Sequence, residues 1–210
     1  IRLTWDKTAE DVNDVNDPTT IPDVEDPAEG DVSTEAELKT YEIGLNNASD
    51  VIVTITKDGL MTVSGTGTPR SFTSQSNVPW YADGTYLKVK NVVFETSVTP
   101  TNLNYWFKDC SSLKSVSMNL ENSNISSMVS TFENCVALEQ APSLRNASRL
   151  TNMNSTFKNC TSLQQAPEMT GCTAITNLNN TFENCVSMST VPNLSGSTQI
   201  SSMQSAFKNC

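Results

Sequence analysis

The sequence contains no histidine, and its 13 Lys and Arg residues are outnumbered by 23 Asp and Glu, which leaves a net charge of −10 over 210 residues. Without histidine the usual proton shuttle of acid–base catalysis is missing, and no Gly-rich phosphate loop follows a predicted strand. The scarcity of basic residues argues against nucleic-acid binding, which requires a basic surface. No apolar run of about 18 residues is present, so we expect no membrane insertion. These absences predict a non-catalytic protein without a cofactor.

The two ends of the sequence lack the features of a complete secreted protein. The chain begins at Ile1 without the charged and apolar regions of a signal peptide. It ends at Cys210, inside a motif that recurs earlier in the chain. We therefore expect a fragment of a longer protein, from which any secretion signal is absent or already removed.

A repeat of 25 residues runs through the second half of the chain. Phenylalanine recurs at this spacing without exception, and a cysteine follows each phenylalanine three residues later. The two columns are Phe107, Phe132, Phe157, Phe182 and Phe207, and Cys110, Cys135, Cys160, Cys185 and Cys210. A unit this short has too little apolar surface to bury its own face, so the units are expected to stack and share one core.

The pattern within each repeat predicts an α+β fold. The period lies within the range of about 20–29 residues found in leucine-rich repeats. The segment L-x-x-(V/A)-P predicts one short strand per coil, ended by proline, with the Val/Ala residue pointing inward. The segment I/L-T-N-M-N-S-T-F has apolar residues at i, i+3 and i+7, which predicts a short helical turn on the opposite side. The predicted architecture is a leucine-rich-repeat-like solenoid.

One position between the phenylalanine and the cysteine alternates in charge. It holds Lys108, Glu133, Lys158, Glu183 and Lys208. If coils stack at the strand spacing of about 4.8 Å, opposite charges meet at every step and like charges are kept apart. Each exposed pair contributes only about 0–1 kcal/mol, so the predicted role of this column is to fix the register of the stack.

The repeat resembles that of the BspA-type leucine-rich-repeat surface proteins of bacteria. The segments M-V-S-T-F-E-N-C at 128–135 and M-N-S-T-F-K-N-C at 153–160 follow the pattern M-x-x-x-F-x-x-C. Upstream, D-G-L-M-T-V-S-G-T-G at 58–67 is followed by Pro79 and Trp80, as in such proteins. The resemblance covers residues 50–210. It implies a secreted or cell-surface protein that adheres to host proteins or to other cells.

Three regions are expected along the chain. Residues 1–45 are rich in Asp, Glu, Pro and Thr, which predicts an acidic, extended linker or arm. Residues 46–100 contain β-branched runs broken by D-G turns, which predicts a β-rich N-terminal cap. The side chains of Trp80 and Trp106 are expected to cover the apolar end of the first repeat. Residues 101–210 are the predicted solenoid. Within the arm, Ile1, Leu3 and Trp5 alternate with polar residues, as in a strand that pairs with a neighbouring subunit.

The cysteines and the acidic arm each allow more than one interpretation. A 25-residue spacing without histidine does not suit zinc, and parallel ladder side chains suit a disulfide poorly, so we predict buried free thiols and no metal. Cys172 lies outside the column and is expected to fill a small-residue position. The acidic residues between Asp11 and Asp31 lack the glycine and glutamate of an EF-hand loop, so a solvated linker is favoured over a calcium site.

The function predicted is an extracellular or cell-surface binding module for a protein or glycan. The alternative is a structural subunit or spacer of an extracellular assembly, such as a filament or a virion appendage. The residues beside the inward Val/Ala column are expected to face outward as a polar strip: Ser115, Gln140, Gln165 and Thr190. Because glutamine offers both donors and acceptors, this strip is the predicted contact surface. If it is not, the loops around Asn146, Gly171 and Gly196 are the next candidates.

Overall fold

A computed structural model describes residues 37–210 as a mixed α and β structure with a five-stranded sheet and few helices. The strands are β1 (Glu37–Glu42), β2 (Val51–Thr56), β3 (Leu60–Gly65), β4 (Asn91–Phe94) and β5 (Ser115–Ser117). The helices of this described part are α1 (Pro79–Ala82) and 3-10 helices over Ala48–Asp50, Gln75–Asn77 and Thr85–Lys88.

The sheet has its strands in sequence order. β1, β2 and β3 are antiparallel neighbours, whereas β4 and β5 continue the sheet in parallel. In β2, alternate residues Val51, Val53 and Ile55 are buried, as expected for a half-buried strand. The β2–β3 turn ends at Gly59, whose φ is 92° and where a Cβ would lie 2.2 Å from the Lys88 carbonyl oxygen. Only glycine fits this position.

The predicted strands of the cap region are confirmed, but the expected boundary between the arm and the cap is wrong. β1 lies within residues 1–45, which were expected to form an acidic, extended linker or arm. Its sequence E-L-K-T-Y-E pairs with β2, with a register irregularity between Glu37 and Lys39. The sheet continues from the cap into the repeats, because β5 belongs to the first repeat and pairs with β4. Residues 1–36 of the predicted arm, including Ile1–Trp5 and the acidic segment 11–31, lie outside the described residues.

The prediction of one strand per repeat is correct only for the first repeat. At the equivalent position the later repeats retain one parallel bridge, between Gln140 and Gln165, while other single bridges join the repeats at residues 102, 127, 152, 177 and 202. The first repeat has Ser117 where the later ones have proline, and Ser117 is the last residue of β5. Proline has no N–H to donate to a neighbouring strand. The backbone hydrogen bonding between strands of neighbouring repeats is therefore interrupted wherever proline occupies this position.

The column expected to point inward is not the buried one. Val116, Ala141 and Ala166 are only partly buried, and Val191 is 75% exposed. The buried residues one position later are the prolines Pro142, Pro167 and Pro192. The proline ring, which is apolar, fills the space that the Val/Ala side chain was predicted to fill.

The predicted helical turn is replaced by a ribbon of tight turns. In this ribbon, which covers M-x-x-x-F-x-x-C, every second N–H donates to the carbonyl three residues earlier, as Lys158 and Cys160 do. The other N–H groups donate to the next repeat, for example from Phe157 to the Thr181 carbonyl at 2.9 Å. A helix would satisfy all of these donors within one repeat. Here half of them join neighbouring repeats instead.

The ribbon requires residues with positive φ. Ser155 and Asn159 have φ of 56° and 61°, and equivalent residues of the other repeats share this conformation. Asparagine tolerates the left-handed region better than most residues, which explains its recurrence immediately before each cysteine of the last four repeats.

The core between the ribbon and the opposite side is a column of stacked side chains. The five phenylalanine rings lie 5.3–5.6 Å apart, with interplanar angles of 6–16°. At the β-rich end, Trp106 contacts Phe107, and Trp80 contacts Trp106 edge-on at 5.3 Å. Trp80 Nε1 also donates to the Trp106 carbonyl at 2.6 Å. Aromatic rings thus connect the cap to the first repeat.

Candidate functional site

The four residues of the predicted contact strip all lie at the surface. Ser115 is in β5, Gln140 and Gln165 form the parallel bridge, and Thr190 is in the following repeat. The bridge places the two glutamines on adjacent rungs. At the spacing of about 4.8 Å between paired strands, their amide groups are close enough to contact one ligand together.

The two glutamines line a shallow groove of about 310 Å³. We call it the glutamine groove, and its lining is Gln140, Ala141, Ser143, Gln164, Gln165, Ala166, Pro167 and Glu168. Within the described residues, the side chains of Gln140 and Gln165 make no hydrogen bond. Their donors and acceptors are therefore free to meet a ligand.

The two outer residues of the strip are engaged within the protein. The Ser115 hydroxyl donates to Asn91 Oδ1 at 2.8 Å, which ties the first repeat to β4. The Thr190 hydroxyl oxygen accepts the Ala166 N–H at 3.3 Å. Only the central part of the strip, at the glutamines, remains available for binding.

A single carboxylate stands at the edge of the glutamine groove. Hydrogen bonds from the Thr170 hydroxyl and backbone N–H lower the pKa of Glu168 below its ordinary value. The N–H bond is 2.8 Å long. Glu168 is therefore ionised at neutral pH, and the groove presents two neutral amides beside one negative charge.

The charged column on the ribbon forms ion pairs between repeats. Lys108 Nζ lies 2.5 Å from Glu133, and Lys158 and Lys208 both reach Glu183, at 2.8 and 3.1 Å. Hydrogen bonds from these two lysines lower the pKa of Glu183. The carboxylate between two ammonium groups is the arrangement that the alternating sequence predicts.

A ladder of asparagine amides runs beside the charged column, and the sequence analysis did not single it out. The Nδ2 of Asn159 donates to Asn134 Oδ1 at 2.6 Å, and Asn184 and Asn209 continue the chain. It ends at Asp109, which accepts from Asn134 and also from Gln75 Nε2. The recurrence of asparagine every 25 residues was the available signal.

The cysteine column consists of free thiols. In the last four repeats, the Sγ donates to a phenylalanine carbonyl of the preceding repeat, for example from Cys160 to Phe132 at 3.1 Å. Burial raises the pKa of Cys185 to about 12 and that of Cys135 well above its ordinary value. Cys172 is also buried, and burial raises its pKa to about 11. Thiolate formation at neutral pH is suppressed at these positions.

The loops that were the second candidate site form tight turns with positive φ at Asn146, Gly171 and Gly196. Asn146 Nδ2 donates to Asn122 Oδ1 at 3.1 Å, and a Cβ at Gly171 would lie 2.3 Å from Asn146 Oδ1. The amide of Asn146 is thus packed between neighbouring turns. Its contacts point to a role in loop packing.

Across residues 37–210, no three His, Cys, Asp or Glu side chains are grouped so that they could hold a metal ion. In the same part of the chain, no helix is long and apolar enough to cross a membrane.

Stacked 25-residue units joined by columns of hydrogen bonds define a repeat protein. The family described as "Mycoplasma protein of unknown function, DUF285" matches residues 101–210, and the chain belongs to it. The match covers all the repeats and none of the cap.

Among solved structures, a leucine-rich repeat protein from Eubacterium ventriosum is similar to the chain. The two are 18% identical with a TM-score of 0.42, and the alignment covers 79% of this chain and 43% of that one. The chain thus spans less than half of that protein's length. No curated protein matches the chain.

Proposed function

We propose that the stacked repeats form a leucine-rich-repeat-like solenoid that acts as a non-catalytic, extracellular or cell-surface binding module. Its ligand is a protein or a glycan, and its contact surface is the glutamine groove. The resemblance of the M-x-x-x-F-x-x-C repeat to bacterial surface proteins supports the location and the adhesive role.

The observation that carries this proposal is that the side chains of Gln140 and Gln165 are exposed and make no hydrogen bond among the described residues. Both are exposed on adjacent rungs of a hydrogen-bonded stack, and neither is engaged by another described side chain. Most polar groups along the stack are tied to a neighbouring repeat, as Ser115 and Thr190 are. Two fixed amides offer donors and acceptors at regular spacing, which suits sugar hydroxyls or peptide amides.

A binding screen followed by a double substitution tests the proposal. The chain is screened against immobilised oligosaccharides and extracellular-matrix proteins, and the affinity of any hit is measured for the variant Gln140→Ala with Gln165→Ala. We expect the affinity to fall at least tenfold, because two amides lose their hydrogen bonds to the ligand. Both positions are exposed, so stability is expected to change by less than about 0.5 kcal/mol.

Gln204→Ala is the matched control, because Gln204 is exposed on the ribbon and lies outside the groove. It removes an amide of the same size and should leave affinity unchanged. An unaltered affinity in the double variant would contradict the proposed site and favour the loops around Asn146. A screen without any hit would favour the alternative, a structural spacer.

A further inference from the structure

A second cavity, of about 350 Å³, lies between the cap and the loop of the first repeat. We call it the cap cavity. Thr68 and residues 94–101 with the exception of Ser97 form one wall, and residues 118–124 form the other. Its volume is within the range of about 300–1,000 Å³ typical of ligand sites. It is separate from the glutamine groove and shares no lining residue with it.

The loop that forms one wall has equivalents in every later repeat. Ser123, Ala147, Cys172 and Ser197 each follow a residue with positive φ, and each donates its N–H to the carbonyl three residues earlier. They therefore occupy one column. The spacing between the first two members is 24 residues rather than 25.

In the later repeats, polar side chains of this column are satisfied by the preceding repeat. Cys172 Sγ donates to the Leu144 carbonyl at 3.1 Å, and Ser197 Oγ donates to the Cys172 carbonyl at 2.8 Å. Ser123 Oγ is buried and has no hydrogen-bond partner within residues 37–210. The first repeat has no preceding repeat, and the cap cavity lies on this side of it.

A backbone acceptor of the first repeat is open in the same way. The carbonyl oxygens of Arg145 and Thr170 accept N–H groups from the preceding loops, at 2.9 and 2.8 Å. Glu121 is the equivalent residue of the first repeat, and no backbone N–H of the described chain donates to its carbonyl, nor to that of the equivalent Ser195 near the other end of the stack. The Ser123 hydroxyl and the Glu121 carbonyl together offer the donor and the acceptor that an additional backbone segment would pair with.

The charge of the cavity indicates the kind of segment. Glu95 and Glu121 line it, no Lys or Arg does, and neither carboxylate forms an ion pair among the described residues. Each is held in place at one oxygen: Glu95 by the Gly65 N–H at 3.1 Å, and Glu121 by the Ser143 hydroxyl at 2.7 Å. Phe94, Val98 and Met118 add apolar surface for an aliphatic stem.

We propose that the cap cavity binds an extended, basic peptide segment of a partner protein. A peptide N–H donates to the Glu121 carbonyl, and a peptide carbonyl accepts from the Ser123 hydroxyl, as the preceding loop does for the later repeats. A Lys or Arg side chain of the peptide lies against Glu95 and Glu121. This inference goes beyond the proposed function, because it concerns a different surface of the chain.

The test uses the full chain, labelled with ¹⁵N, and two capped pentapeptides. The basic probe is Thr-Val-Lys-Val-Thr and the acidic probe is Thr-Val-Glu-Val-Thr. We expect the basic probe to shift the amide resonances of residues 94–101 and 118–124, with a dissociation constant of about 1 mM at low salt. The acidic probe should bind at least tenfold more weakly, because it meets two carboxylates.

Two variants test the Ser123 hydrogen bond and the Glu121 charge separately, and two control variants accompany them. Ser123→Ala should weaken the basic probe roughly three- to tenfold, and Ala147 in the equivalent position shows that the fold accepts this change. Glu121→Gln should weaken it and reduce its salt dependence, whereas Glu42→Gln, outside the cavity, should change neither. The double variant Gln140→Ala with Gln165→Ala should bind the probe normally, so failure here and failure of the proposed function are distinguishable.

Three results would overturn the inference. One is the absence of shifts at these amides with 10 mM of either probe. Another is equal binding of the two probes with no effect of Ser123→Ala. The third is a set of nuclear Overhauser contacts between the cavity and residues 1–34 in the free chain, which would assign the cavity to the chain's own N-terminal segment rather than to a partner.

Discussion

Single side chains of the phenylalanine column have neighbours on two sides. Phe157 is fully buried, and its ring lies 5.3 Å from that of Phe132 and 5.6 Å from that of Phe182. Phe157→Ala removes both contacts and leaves a cavity, so we expect a loss of about 3–5 kcal/mol in the free energy of unfolding. Urea denaturation of the purified variant measures this loss.

Val186→Ala is the control for this change, because Val186 is 61% exposed and lies in the repeat that follows. It should move stability by less than about 0.5 kcal/mol. A loss below about 1 kcal/mol for Phe157→Ala would mean that the column is not the buried core of the repeats.

The thiols of the cysteine column should differ in reactivity. Cys135, Cys160 and Cys185 are buried and Cys210 is exposed. Because the thiolate is the reactive form and burial disfavours it, we expect a disulfide-exchange reagent to label Cys210 in the native chain and the other three only on unfolding. Mass spectrometry of the labelled chain counts the modified sites. An unlabelled chain lighter by two hydrogens would reveal a disulfide and contradict the prediction.

The raised pKa of Cys185 also predicts a loss of stability in alkali. Its ordinary pKa is 9.0 and its folded pKa about 12, so between these values the unfolded chain releases a proton that the folded chain retains. The stabilisation by the protonated thiol is complete below about pH 9 and is lost as the pH rises towards 12. Urea denaturation from pH 7 to 11 should show the advantage of the wild type over Cys185→Ala shrinking above pH 9. A constant difference would contradict it.

At the scale of elements, the asparagine ladder has a direction. Every amide Nδ2 donates towards the start of the chain, and the ladder ends on Asp109, whose carboxylate oxygens are the acceptors. Gln75 Nε2 donates to the same carboxylate at 2.6 Å. Asp109 therefore joins the cap to the ribbon and fixes the orientation of the amides behind it.

Asp109→Asn is the substitution that tests this role. It replaces one acceptor oxygen by an NH₂ group that faces another donor, so we expect a loss of about 1–3 kcal/mol from an unpaired buried donor. Asp58→Asn, at the exposed β2–β3 turn, makes the same chemical change and should cost much less. Thermal and urea melts of the two variants make the comparison. Equal losses in both would show that the ladder does not depend on its carboxylate end.

At the scale of the whole molecule, the cap and the repeats are one sheet and one core. β4 pairs with β5, and Trp106 is only 1% exposed beneath Trp80 and Phe94. A fragment of residues 101–210 loses these neighbours, and nearest-neighbour contacts supply much of the stability of a repeat protein. We expect Trp106, the single tryptophan of this fragment, to show red-shifted fluorescence. We also expect the unfolding midpoint of the fragment to lie below that of residues 37–210. The same midpoint for both fragments would show that the repeats do not need the cap.

The amino-acid sequence alone was sufficient for the period, the identity of the buried columns of Phe and Cys, the charge alternation and the strands of the cap. These features follow from residue type and spacing, because each repeat must present the same apolar side chain to its neighbour. The sequence also named Gln140 and Gln165, although only the structure showed that Ser115 and Thr190, at the ends of the same strip, are engaged in hydrogen bonds of the protein.

Backbone pairing was decided only by the tertiary structure. Whether the N–H of Phe157 bonds within its own repeat or to Thr181 depends on where the next repeat lies, and this cannot be read from local apolar spacing, which suggested a helix. Likewise, proline was taken to end a strand in every repeat, whereas the structure has this strand only in the first repeat, which has Ser117 in place of proline. The cap cavity also depends on tertiary structure, since it exists only where the cap takes the place of a preceding repeat beside Ser123.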